Sequence, residues 1–146
     1  MKQITGDLVK MAKADKFDVI FHGCNCYRTM GAGIAKQIKI AFPDAYKADL
    51  ATNVGDRTKL GTITFAKCGT VNVVNAYTQH RYGRNQKFVD YDAVRKCCQA
   101  IARKCGKDVR IGYPRIGCGL AGGDWNVIEE IINEEFLGLD HTLVTL

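Results

Sequence analysis

Apolar and polar positions along this chain alternate between two periods, and each period marks an element. Phe17–Cys24 (FDVIFHGC) is an apolar run bounded by charge and glycine, the pattern of a buried strand. Gly31–Phe42 (GAGIAKQIKIAF) predicts a helix, stopped by Pro43, and Asp44–Thr52 (DAYKADLAT) a second, short one. Lys59–Ala66 (KLGTITFA) and Thr70–Tyr77 (TVNVVNAY) read as strands separated by Gly69. From Val89 to Cys105, Tyr91, Val94, Cys98, Ile101 and Cys105 recur at three-four spacing, with Arg95, Lys96, Arg103 and Lys104 elsewhere. That is an amphipathic helix, ended by Gly106. Asp108–Pro114 (DVRIGYP) predicts a strand, and Asp124–Phe136 a helix with Trp125, Ile128, Ile132 and Phe136 on one face. His141–Leu146 (HTLVTL) is a last strand. Strands alternating with helices, several of them apolar throughout, imply a sheet covered on both faces, an α/β three-layer sandwich. In such sheets ligands sit beyond the carboxyl ends of the strands.

Composition narrows this picture only slightly. A chain of 146 residues with 47% hydrophobic content has room for one domain, 1–146, with a proper core. No apolar run approaches the ~18 residues of a membrane span, and the N-terminal stretch lacks the apolar core of a signal peptide. The expectation is a cytoplasmic protein with no membrane partner, and we expect a monomer. Seven cysteines, an odd number, fit a reducing compartment in which most are small buried hydrophobes. The net charge of +6 is uneven: residues 1–115 hold all 21 Lys and Arg against 9 acids, and 116–146 hold 6 acids and no Lys or Arg. Such asymmetry suggests an anionic ligand or nucleic acid near the basic part, set against the plainer reading of solvated helix faces. No Lys/Arg-rich block with interleaved aromatics appears, so nucleic acid gains little support as a partner.

Chemistry concentrates in two glycine-rich stretches, RTMGAGIAK (28–36) and RIGCGLAGGDW (115–125), each following a strand and preceding a helix. Four of the seven residues from Gly117 to Gly123 are glycine. A strand, a glycine loop and a helix start present unpaired N–H groups and the positive end of a dipole, which binds phosphate without a basic side chain. Two such loops on one sheet edge suit a diphosphate. Neither carries the Gly-Lys-Ser/Thr of an NTPase loop, and the dinucleotide pattern fails at Lys36. A cysteine-phosphatase loop is excluded because Asp124 stands six residues after Cys118. On a continuing strand His22, Cys24 and Cys26 share a face, but three in-line residues make a poor tetrahedral site. No metal and no cofactor are expected.

The motifs GDL (6–8), HGCNC (22–26), GAGIAKQI (31–38) and PRIGCGLAGGDW (114–125), in that order, resemble the macrodomain family over nearly the whole chain. The resemblance implies a three-layer α/β/α sandwich with a mixed central sheet, binding ADP-ribose in a crevice above the sheet. It assigns Asp7 to the adenine amine, with the Leu8 backbone beside it, and Asn25 to the distal ribose. Gly31, Ala32, Gly33 and Ile34 would form one diphosphate loop. Gly117, Cys118, Gly119, Leu120, Ala121 and Gly122 would form the other, their bare backbone approaching the ligand closely. The histidine of HGCNC and the aspartate of GCGLAGGDW resemble the branch that includes yeast ADP-ribose 1''-phosphate phosphatase. A related glycohydrolase branch uses a lysine after a threonine, whereas here Thr78 is followed by Gln79.

The resemblance implies hydrolysis of ADP-ribose 1''-phosphate to ADP-ribose and phosphate, with His22 as base or nucleophile and Asp124 orienting a water or the imidazole. Two alternatives stand beside it: an ADP-ribosyl hydrolase acting on protein or nucleic-acid ends, and a non-catalytic reader of ADP-ribose. Each residue also has a plainer role open to it. Asp7 and Asp124 suit helix caps, Asn25 suits a strand end, and His22 suits a hydrogen-bonded core.

Overall fold

The computed structural model describes residues 1–83, 86–119 and 121–146. In chain order its elements are β1 (Lys2–Thr5), α1 (Leu8–Lys13), β2 (Val19–Cys24), α2 (Gly33–Ala41) and α3 (Pro43–Leu50). A 3₁₀ turn (Arg57–Lys59) leads to β3 (Ile63–Cys68), β4 (Val71–Tyr77), α4 (Tyr91–Lys104), β5 (Arg110–Tyr113), α5 (Trp125–Glu135) and β6 (Asp140–Thr145). The six strands form one sheet in the order β1-β6-β5-β2-β4-β3. Every pairing is parallel except β3 with β4, which makes the sheet mixed. That antiparallel pair turns at Gly69 and Thr70, where Gly69 adopts a φ of +69° that suits glycine.

Alternation along the strands splits the core into two layers. On β2, Ile20 joins Leu8, Ile38, Phe42 and Val73 under α1–α3, while Val19 and Phe21 join Val94, Ile101, Ile128 and Phe136 under α4 and α5. The three-layer α/β/α sandwich follows. Pro43 both ends α2 and starts α3 at a position whose N–H no helix needs.

Two local expectations are corrected. The strand expected at Lys59 begins instead at Ile63, because Asp56 caps the 3₁₀ turn through Thr58 N (2.9 Å) and Gly61 takes a φ of +85°. Residues 1–16, to which the pattern assigned no element, form β1 and α1. All four residues of β1 are exposed, so no alternation marks it, and parallel pairing with β6, with a Lys2–Asp140 ion pair (3.0 Å), holds it in place. Among the described residues no helix is long and apolar enough to cross a membrane.

Candidate functional site

Where β5, β2 and β4 end, a cavity of about 520 Å³ opens between two loops. One wall is the segment after β2, from Asn25 through Gly31, Ala32, Gly33 and Ile34; the other is Pro114–Gly117 with Gly119 and Ala121. Asp49 of α3, together with Gln79, Tyr82 and Gly83 of the segment after β4, closes the remaining side. The two glycine stretches therefore do face each other across the sheet edge.

The first wall is built around Asn25. Its Nδ2 donates to Thr29 Oγ1 (2.7 Å) and its Oδ1 accepts from Tyr27 N (2.8 Å), so the side chain shapes the loop that leads into α2. The α2 start differs from those of α1, α4 and α5; α3, entered through Phe42 and Pro43, also has no side-chain cap. Asp7, Asp90 and Asp124 cap α1, α4 and α5 with their carboxylates, but Ala32 stands at the α2 cap and supplies no side-chain bond. Backbone N–H groups at the positive end of this helix dipole lie beside the cavity, since Gly33, Ile34 and Ala35 are all on its wall.

In the second wall the glycines serve different ends. A Cβ at Gly117 would meet Val89 Cγ2 at 2.7 Å, and one at Gly123 would meet the Gly117 carbonyl oxygen at 2.5 Å. Gly117 and Gly122 also hold φ values of +72° and +71°. These three answer to the loop's own folding, in which Gly123 N donates to Gly117 O (2.7 Å) and Ala121 O accepts from Phe88 N (2.8 Å). Among the described residues beyond its chain neighbours, nothing lies within 4 Å of where a Gly119 Cβ would stand, and Gly119 lines the cavity. Cys118 and Gly122 belong to the loop but not to the cavity lining, and Leu120 lies outside the described residues.

Asp7 and Leu8 are not on this wall either. The Asp7 carboxylate accepts from Lys10 N (3.1 Å), and Leu8 is buried in the core below α1. Both stand at the end of β1, three strands from β2 in the sheet order.

The two residues expected to carry chemistry, His22 and Asp124, are not on the cavity wall. His22 has no solvent exposure and does not reach the cavity. Its Nε2 lies 2.7 Å from Asn75 Oδ1, directly across from it on β4. Asn75 Nδ2 donates to Ala45 O and Thr64 Oγ1, both at 2.9 Å, which leaves Oδ1 as acceptor and makes His22 Nε2 the donor. Burial pulls the imidazole down to about 4, against the Asn75 hydrogen bond, so it is neutral near pH 7. Asp124 is exposed, caps α5 through Asn126 N (2.9 Å) and is absent from the cavity wall. Strand alternation does put His22 and Cys24 on one face, with Cys24 Sγ 3.5 Å from His22 Nε2.

Sequence reasoning passed over Asp49, Tyr82, Arg115 and Gln79 as members of this wall. Asp49 had a weak signal, being four residues after Ala45 on the same helix face, and both are buried. It is 1% exposed and its Oδ1 accepts the Tyr77 hydroxyl at 2.8 Å. Burial pushes the Asp49 carboxyl above the ordinary carboxylate range, opposed by the Tyr77 hydrogen bond and by the charges of Lys59 and Arg28.

The Macro domain family model matches residues 21–132. An uncharacterised 17.5 kDa protein of Enterobacteria phage T4, from the tk-vs intergenic region, is 37% identical over 91% of this chain and 88% of its own. The ADP-ribose 1''-phosphate phosphatase of Debaryomyces hansenii is 25% identical over 92% of this chain and 93% of that protein. A solved structure of a protein of unknown function from Bacteroides thetaiotaomicron superposes with a TM-score of 0.84 at 28% identity, covering 99% and 97% of the two chains. A family match over most of the chain, with a close full-length relative and a shared fold, establishes that this chain belongs to the macrodomain family.

Proposed function

We propose that this macrodomain binds ADP-ribose along the carboxyl edge of its sheet and hydrolyses ADP-ribose 1''-phosphate to ADP-ribose and phosphate. The observation that carries the binding is the uncapped start of α2 facing the Gly117–Ala121 loop across the cavity. Backbone N–H groups at an uncapped helix start, facing a glycine loop, suit a diphosphate. Sheet order supports one direction for the ligand: Asp7 follows β1, the second glycine loop follows β5, and Asn25 follows β2. At a strand spacing of ~4.8 Å, β1 and β2 are roughly 14 Å apart, room for adenine at one end and the distal ribose at the other. In this reading Asp7 accepts from the adenine amine beside Leu8 N–H, and Asn25 holds ribose hydroxyls. The phosphatase activity draws its support from the full-length likeness to the Debaryomyces enzyme.

Calorimetry with ADP-ribose, AMP and ATP tests the binding, and equal affinity for all three would overturn it. Phosphate release from ADP-ribose 1''-phosphate, run beside an ADP-ribosylated protein and an ADP-ribosylated DNA end, tests the reaction. Turnover confined to the latter two would make the protein an ADP-ribosyl hydrolase. Tight ADP-ribose binding with no turnover of any of them would make it a reader.

A further inference from the structure

His22 is sealed in the core and Asp124 caps α5 off the cavity wall, so we look for a base among the residues that line the cavity. Among the described residues the cavity wall carries four ionisable side chains, Cys24, Asp49, Tyr82 and Arg115. Burial raises the Cys24 thiol well above its ordinary range, so it stays protonated near neutral pH. A phenol and a guanidinium do not take a proton from water there. Asp49 is the one carboxyl on the wall. We propose that Asp49 is the general base of this cavity, acting at the ribose end of the ligand; the proposal rests on the hydrolase reading.

Placement supports the role. Asp49 ends α3 beside Cys24 and Tyr77, at the carboxyl ends of β2 and β4, and Asn25 follows Cys24 directly. With adenine over β1, the substituted end of the distal ribose reaches this side of the sheet. The carboxyl accepts from the Tyr77 hydroxyl through Oδ1 and has acceptor capacity left for a water. Lys59, 8% exposed and 2.8 Å from Thr52 Oγ1, lies below it, and Arg28 donates to Leu50 O (2.7 Å) while its Nε is buried without a partner among the described residues. The charged or titratable groups around Asp49 are thus Tyr77 from β4, Cys24 at the end of β2, Cys26 and Arg28 from the following loop and Lys59 from the 3₁₀ turn.

In the step itself a water oxygen bonds to phosphorus as the phosphorus–O1'' bond breaks, its electron pair remaining on O1''. Asp49 takes one proton from that water and returns it to O1'', so the products are ADP-ribose and hydrogen phosphate.

The test follows phosphate release from ADP-ribose 1''-phosphate by the full chain between pH 4 and 9, with ADP-ribose binding measured alongside. Asp49→Asn keeps the shape and the Tyr77 contact, and should lose at least about 100-fold in kcat while binding ADP-ribose within a few-fold of wild type. Tyr77→Phe should remain active but move the acid limb of the profile to higher pH, because the carboxylate loses the bond that holds its proton affinity down. The second variant keeps the question answerable should Asp49→Asn fail to fold, and a purely structural carboxylate would not move a pH profile. Asp49→Asn at near wild-type kcat, or an acid limb unmoved in Tyr77→Phe, overturns the proposal. A wild type that binds ADP-ribose but releases no phosphate overturns the hydrolase reading itself, and Asp49 as its base falls with it.

Discussion

Gly119 differs in kind from the glycines around it. Its Cβ position is open and its backbone is not in the left-handed region, so the fold has no need of glycine there. Gly119→Val should leave the melting temperature within a few degrees of wild type while ADP-ribose binding falls below detection in calorimetry. Gly117→Ala should do the reverse of the first part: a side chain 2.7 Å from Val89 Cγ2 at positive φ costs on the order of 1–3 kcal/mol in urea unfolding. Asp124→Ala should cost about 1 kcal/mol of stability, the worth of a helix cap, with phosphate release retained. Loss of phosphate release in a stable, folded Asp124→Ala protein would return that residue to the chemistry. The four glycines look alike in the sequence, and only their neighbours separate them, because the atoms a Cβ would strike belong to residues distant along the chain.

Helix starts carry the clearest division between structure and binding. Asp caps three helices and the 3₁₀ turn, each carboxylate accepting from a backbone N–H that would otherwise lack a partner. Ala32 at the α2 start has the extended backbone that a capping residue adopts (φ −145°, ψ 157°) yet supplies no acceptor. Ala32→Asp should therefore act in opposite directions on two measurements. Thermal stability should rise, by about 1 kcal/mol, and ADP-ribose affinity should drop at least about 10-fold as a carboxylate occupies the diphosphate position. An affinity unchanged by that carboxylate would mean that α2 does not hold the diphosphate. The elements that carry the two loops were legible from periodicity, since β2, α2, β5 and α5 are strongly patterned. β1 and α1 were not, because an exposed edge strand is held by hydrogen bonds to β6 rather than by burial of its own side chains.

Across the whole molecule, two buried imidazoles set the acid response. His141 is pulled down to about 4 by burial, packed beside Phe136 and 2.6 Å from the Tyr113 hydroxyl, and His22 is pulled down to about 4 as well. An unfolded chain takes up protons on both near pH 6.5, while the folded one holds them neutral. Their stabilising effect is complete above about 6.5 and is lost as pH falls toward about 4, at up to ~3 kcal/mol for each. Urea midpoints at pH 7, 5.5 and 4.5 should fall steadily, and a midpoint constant over that window would contradict the burial of both rings.

Taken by itself, the sequence determined the α/β alternation, the sandwich, the two glycine loops and their place at the carboxyl ends of strands. Those features rest on periodicity and on residues adjacent in the chain, so they can be read locally. Tertiary structure alone decided which polar side chains reach the cavity. His22 is a strand residue like its neighbours until α3 and β4 cover it, and Asn75, 53 residues on, accepts its Nε2–H hydrogen bond. Asp49 looks like one more helical acid until α3 packs on the sheet and brings its carboxyl to Tyr77, 28 residues away. Burial and hydrogen-bond partnership are properties of long-range packing, and they separate the residues that hold this fold from those that face its cavity.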